Sequence, residues 1–306
     1  MKTYFYKLSL ILLPALLPVI TKAQHFGNGN AQQDPLASQY FLNPFLGNPA
    51  MAGIDTGLNV NISYRKQWTE VKDGPVTKLI TADYQIDKKM GVGLTIFNDQ
   101  AGILNRTRVG VTYAYHVALN EAKNEYLHLG LTMALDNKRA IPSKVIGDMD
   151  DPSLPLYNSR DNFFESDFGL TYVNERFTLQ AAMPNMVSMF QNKNDVETRN
   201  TSTFYAAASY KIGTNHEQIN SFEPMVAFRA VRGYKSIIDI GGNVKLAKGF
   251  ASLFAMYHTS KSFTAGVGFQ FKNTVEVQAS YTSQTAGIKS NVDGNFGLSM
   301  KIRLFK

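Results

Sequence analysis

The stretch Asn295-Phe296-Gly297-Leu298-Ser299-Met300-Lys301-Ile302-Arg303-Leu304 alternates strictly. Phe296, Leu298, Met300, Ile302 and Leu304 are apolar, and the residues between them are polar or small. In an extended chain successive side chains point to opposite faces, so one face of this segment suits lipid and the other water. Its ten-residue span fits a tilted strand crossing a bilayer and exceeds the roughly five or six residues usual in soluble sheets.

The same period recurs upstream. Val109, Val111, Tyr113, Tyr115, Val117 and Leu119 alternate in one run, and Leu127, Leu129, Leu131, Met133 and Leu135 in the next. Counted with their turn residues, such runs give about fourteen strands, an even number as in bacterial outer-membrane barrels. The first spans 57–68, the third 91–98, the fourth 106–119, the fifth 125–136 and the last 294–305. The fold class is therefore all-β, an antiparallel up-and-down transmembrane barrel over 57–306. Aromatics such as Tyr84, Phe168, Tyr210, Phe250, Phe271 and Tyr281 fall toward strand ends, as interfacial girdles do.

Connections alternate in length. Those at 87–90, 120–124, 175–176, 247–249 and 272–273 are short, whereas 137–163, 185–200 and 283–293 are long. Short turns face the periplasm in outer-membrane barrels, which puts both barrel termini on that side. The connection 213–220 is longer than this scheme prefers.

Lys2 and Lys7 precede an uncharged apolar run from Leu8 to Ile20, followed by Thr21-Lys22-Ala23. This pattern predicts a secretory signal peptide over 1–23, cut before Gln24; the run is too short for the roughly 20 residues of a spanning helix. Removing Lys2, Lys7 and Lys22 leaves 28 Lys and Arg against 24 Asp and Glu, without a basic block, so nucleic acid is not an expected partner. There is no cysteine, which excludes disulfides and thiolate metal sites.

Residues 24–56 break the alternation. Pro35, Pro44 and Pro49 exclude a long helix or strand, yet Tyr40, Phe41, Leu42, Phe45, Leu46 and Met51 need burial. Two placements satisfy them, a plug inside the barrel or a contact with a periplasmic partner.

The run from Gln33 to Gly53 resembles the N-terminal signature of the PorP/SprF family, outer-membrane proteins associated with type IX secretion and gliding motility. Tyr64-Arg65-Lys66-Gln67-Trp68, the run Gly91 to Gly102, Tyr113-Ala114-Tyr115-His116 and Met183-Pro184-Asn185 extend the likeness in order and spacing. Met51, Gly47 and the final Lys306 depart from the family pattern. The resemblance implies a non-enzymatic protein in outer-membrane lipid that contacts the type IX apparatus and binds the C-terminal sorting domain of a secreted adhesin. The partner-binding candidates are Asp34, Pro35, Gln39, Tyr40, Asn43, Pro44, Asn48, Pro49, Gly53, Arg65 and Trp68.

Catalytic and metal chemistry find little support. His25, His116, His128, His216 and His258 show no ligand spacing with one another, and no nucleophile and base share a motif. No cofactor is expected. The loop Asp148-Met149-Asp150-Asp151-Pro152 offers oxygens to calcium but lacks the glycine and closing glutamate of a hand-type loop, so a solvated outer loop is its plainer reading. Arg65 is expected to point into the lumen, braced by Asp83, Asp239 or Glu276, or touching the N-terminal segment together with Trp68. A competing function is a solute pore lined by Asn59, Asn61, Ser63, His128, Thr132, Gln270 and Gln278.

Overall fold

The computed structural model describes residues 35–68, 74–141, 158, 162–190, 202–214, 218–231, 235–283 and 294–305. The expected signal peptide 1–23, residues 24–34 with Asp34, the acidic stretch 148–152, His216 and Lys306 lie outside the described residues.

The strands are β1 (Leu58–Gln67), β2 (Val76–Asp87), β3 (Met90–Ala101), β4 (Leu104–Asn120), β5 (Glu125–Ala140), β6 (Phe163–Val173), β7 (Phe177–Met183), β8 (Ser202–Tyr210), β9 (Ile212–Gly213), β10 (Ile219–Val231), β11 (Ile237–Leu246), β12 (Ala251–His258), β13 (Ser262–Phe271), β14 (Val275–Thr282) and β15 (Asn295–Leu304). Neighbours in sequence pair antiparallel, except that β8 and β9 both pair with β10, and β15 pairs with β1, from Leu58↔Leu304 to Gln67↔Asn295. β9 continues the register of β8 on β10 past Lys211, so the two form one staircase step of a closed fourteen-stranded barrel. β9 also accounts for part of the connection 213–220, which the alternation alone leaves as turn.

Alternation builds the wall as expected. Along β1, Asn59, Asn61, Ser63, Arg65 and Gln67 are buried while Ile62 and Tyr64 stand 41% and 46% exposed on the outer face. Strands β3, β4 and β5 run further than the sequence periodicity predicts, because polar pairs such as Asn98 with Thr107 and Arg106 with Asp136 continue the ladder beyond the apolar stripe. At the opposite rim the turn between β13 and β14 places Lys272 and Asn273 at φ 48° and 55°, the left-handed pair that tight hairpins require.

Residues 36–53 lie inside the barrel, since this short segment touches all fourteen steps of the wall. It bonds or packs against Ser63, Thr81, Gly93, Ala114, Gly130 and Thr171 on β1 to β6. It meets Ala182, Tyr205, Met225 and Phe254 on β7, β8, β10 and β12, Asp239 on β11, and Gln278 and Ser299 on β14 and β15, while the turn Pro35–Ser38 packs on β13. The prolines open three 3-10 turns, Pro35–Ser38, Pro44–Leu46 and Pro49–Met51, where a fixed φ and a missing N–H cost nothing.

The wall makes room for the segment with glycine. A Cβ at Gly130 would lie 2.2 Å from the Pro49 carbonyl carbon, one at Gly169 2.0 Å from Asn48 Oδ1, and one at Gly91 2.2 Å from the Ala52 carbonyl oxygen. Heavy atoms do not approach so closely, so backbone seats on backbone only where side chains are absent.

Two outcomes test this arrangement. Leu298, 57% exposed on the lipid face, becomes unfavourable as Arg: Leu298→Arg lowers unfolding stability in lipid vesicles by about 2–4 kcal/mol, read by denaturant titration. In the cysteine-free chain, Ala50→Cys is protected from maleimide, because Ala50 is fully buried; adding Gly130→Val unseats the segment and exposes that thiol while the barrel keeps its heat-modifiable mobility.

Candidate functional site

The inserted segment bonds to the wall through amide side chains. Gln39 Nε2 donates to Ser63 Oγ at 3.2 Å on β1 and to Ser299 Oγ at 2.7 Å on β15, so it straddles the seam where the barrel closes. Asn43 Nδ2 donates to Thr81 Oγ1 at 2.9 Å. Asn48 Nδ2 donates to Thr171 Oγ1 at 2.9 Å and to the Leu170 carbonyl at 3.1 Å, while its Oδ1 accepts from the Ala50 N–H at 3.0 Å. Gly53, at φ 70°, donates its N–H to Asp83 Oδ2 at 3.2 Å.

Tyr40 stacks on Tyr205 with ring centroids 6.2 Å apart, and its hydroxyl donates to Asp239. Burial pushes the Tyr40 hydroxyl well above its usual pKa, so it stays a proton donor. Asp239 also accepts from Arg229 Nε at 2.7 Å and lies 2.6 Å from His258 Nδ1, and His258 Nε2 meets Thr264 Oγ1 at 2.8 Å. An Asp-His-Thr row has the connectivity of a hydrolytic triad. Thr264 is fully buried and its hydroxyl meets Thr282 Oγ1 at 2.9 Å, so no substrate carbonyl reaches it; the row anchors the segment and satisfies a buried carboxylate.

The other candidates fall as follows. Pro44 is half-buried, Pro49 is buried beside Gly130, and Pro35 begins the first turn. Arg65 is buried and points inward, as the alternation requires. Asp83, Asp239 and Glu276 are held by other partners: Asn59 and Gly53, Arg229 and His258, and Arg303 respectively. Trp68 follows β1 at φ 53° and donates its N–H to the Gly294 carbonyl at 3.3 Å, at the rim opposite Leu58. Structure therefore gathers Gln39, Tyr40, Asn43, Asn48, Pro49 and Gly53 inside the barrel and sets Trp68 apart at the rim.

Sequence spacing alone misses one histidine contact. His116 and His128 are cross-strand partners in the β4–β5 hairpin, with Nδ1 atoms 2.7 Å apart, and Tyr126 stacks on His128. Among the described residues no group of three or more His, Cys, Asp or Glu side chains gathers as metal ligands.

Below the segment, toward the rim that carries Leu58 and Leu304, lies a cavity of about 420 Å³. Phe41, Pro44, Phe45 and Met51 of the segment line it with Gln180, Lys245, Lys301 and Arg303 of the wall. All the lining wall residues except Asn61 and Asp83 come from β7 to β15, near their ends at that rim.

Comparison with solved structures finds other barrels. The Acinetobacter baumannii outer membrane protein Omp33 is 9% identical, with 82% of this chain and 100% of that one covered and a TM-score of 0.49. The KdgM porin is 6% identical over 81% and 99%, with a TM-score of 0.41. A mutant of the Rh. blastica porin is 11% identical over 80% and 98%, with a TM-score of 0.36. No curated protein matches. The family model for the type IX secretion system membrane protein PorP/SprF matches residues 29–302, nearly the whole chain. With its closed barrel and apolar outer belt, this chain is an integral outer-membrane protein that belongs to the PorP/SprF family.

Proposed function

We propose that the protein is a non-enzymatic component of the type IX secretion system, with its termini at the periplasmic rim, that contacts the secretion or gliding apparatus there. At the outer rim it holds a secreted surface adhesin through that partner's C-terminal sorting domain. The observation that carries this reading is the filled lumen. A barrel whose interior is occupied by its own residues 36–53 offers rims and loops for contact in place of a passage. Partners then meet the long connections on one side and the exposed residues Asp55 and Thr56 on the other.

The pore reading rests on the polar inner wall. Asn59, Asn61, Ser63, His128, Thr132 and Gln278 do face inward, but they are buried beneath the segment and Gln278 donates to the Ser38 carbonyl at 3.0 Å. Segment and wall interlock through such bonds, which favours a closed barrel.

Purification of the mature protein from its native outer membrane, followed by planar-bilayer recording, separates the two. A closed barrel that brings down an adhesin sorting domain is the expected result. A robust open channel with no co-purifying protein would replace this proposal with the pore.

A further inference from the structure

The cavity beneath the segment combines an apolar floor with cationic walls whose valence is not used up. Lys301 Nζ donates to Asp55 Oδ2 at 3.0 Å, and Arg303 Nη2 donates to Glu276 Oε2 at 2.9 Å. Arg303 Nη1 is buried with no hydrogen-bond partner, and Lys245 forms no ion pair among the described residues. The carboxylates lining the same space are engaged: Asp83 accepts from Asn59 and Gly53, and Glu223 accepts from Ser209. Three lining amide oxygens, Asn43 Oδ1, Asn61 Oδ1 and Gln180 Oε1, are also buried without a hydrogen-bond partner, so the spare capacity is mixed in its neutral groups and cationic in its charged ones.

Asp55 reports on the field there. Burial opposes its ionisation, yet Lys301, with Arg303 and Lys245 behind it, outweighs burial and holds the carboxyl below its usual range. Asp55 belongs to the short linker between the segment and β1, and its side chain remains 59% exposed. The carboxylate end of the pair is exposed while Lys301 is buried, so an incoming anion can take the place of Asp55 on a cation that stays in the wall. The floor of Phe41, Pro44 and Phe45 supplies apolar contact, and about 420 Å³ lies within the range of pockets that hold small ligands.

We propose that this cavity is a binding site for a carboxylate carried on an apolar body, its charge taken by Lys245, Lys301 and Arg303 and its body laid on the Phe41-Pro44-Phe45 floor. Asp55 is the internal occupant that such a ligand displaces. A polypeptide chain end and an aliphatic acid share this chemistry. The site needs no exported adhesin and stands apart from the partner contacts at the outer rim.

Titration calorimetry of the full mature chain in nanodiscs tests it with N-acetyl-Leu-Phe, its C-terminal amide, hexanoate and hexanamide. The free acid is expected to bind about tenfold more tightly than the amide, since charge-assisted hydrogen bonds are about twice as strong as neutral ones. Lys245→Gln abolishes that difference, and Asp55→Asn tightens acid binding several-fold, a gain that a misfolded barrel cannot give. Hexanoate exceeding hexanamide by the same factor supports an aliphatic acid as the source, and discrimination only by the peptide supports a chain end. Equal binding of acid and amide, binding of neither, or indifference to Lys245→Gln overturns the proposal.

Discussion

The pairing of Leu58–Gln67 with Asn295–Leu304 is the constraint on which the molecule depends, because it converts an open sheet into a closed one. A sheet edge in hydrocarbon leaves N–H and C=O groups unpaired, each at a cost of several kcal/mol, so only closure makes the fold viable in lipid. The seam is also where the interior segment takes hold. Ser299 Oγ donates to Ser63 Oγ at 2.9 Å across it, and Gln39 donates to both. Filling the lumen thus reinforces the last contact between the two ends of the barrel.

Closure creates a second requirement, since a barrel of fourteen strands is too wide for its own side chains to fill. The two halves of the wall meet this differently. On β3, β5 and β6, glycines at 91, 93, 130 and 169 let the segment's backbone and the Phe45 ring come against the strands. On β7, β8, β10 and β12, an apolar patch of Ala182, Tyr205, Ala207, Met225, Ala227, Phe254 and Met256 receives Leu36 and Tyr40, with Phe41 packed beside it. An inner wall built only for water would have no such patch, so this half is shaped for a protein occupant.

What sequence reveals follows the range of each interaction. Alternation is local, and it correctly orients Arg65, Asn59 and Ser63 inward and Leu298 and Met133 outward. The His116–His128 contact was also within reach, because both residues lie symmetrically about the turn Glu121–Lys123 and hairpin register pairs them. Partners of Arg65, Asp83 and Asp239 depend on how distant strands stagger around the barrel and on an inserted segment between them, which no local pattern encodes. The four wall glycines read as small lumenal residues; their purpose appears only once another backbone lies against them. That Tyr40 and Phe41 needed burial was legible, but the choice between lumen and partner was not, because either satisfies the hydrophobic requirement.

The prolines explain why the occupant is a turn-rich segment and not another strand. Every wall strand already spends its backbone bonds on two neighbours, so an inserted strand would find nothing to pair with. Residues 36–52 instead satisfy their own backbone in short turns, with bonds such as Asn43 N–H to the Gln39 carbonyl at 2.8 Å and Ala52 N–H to the Pro49 carbonyl at 3.2 Å. Side-chain amides are then left as the means of attachment, which is the work of Gln39, Asn43 and Asn48. Such bonds contribute about 0.5–1.5 kcal/mol each, and they hold the segment at several separate points with no continuous ladder. The aromatic underside this produces is the floor of the cavity, so the same proline-set turns that fit the segment into a saturated wall also present Phe41, Pro44 and Phe45 to the rim below.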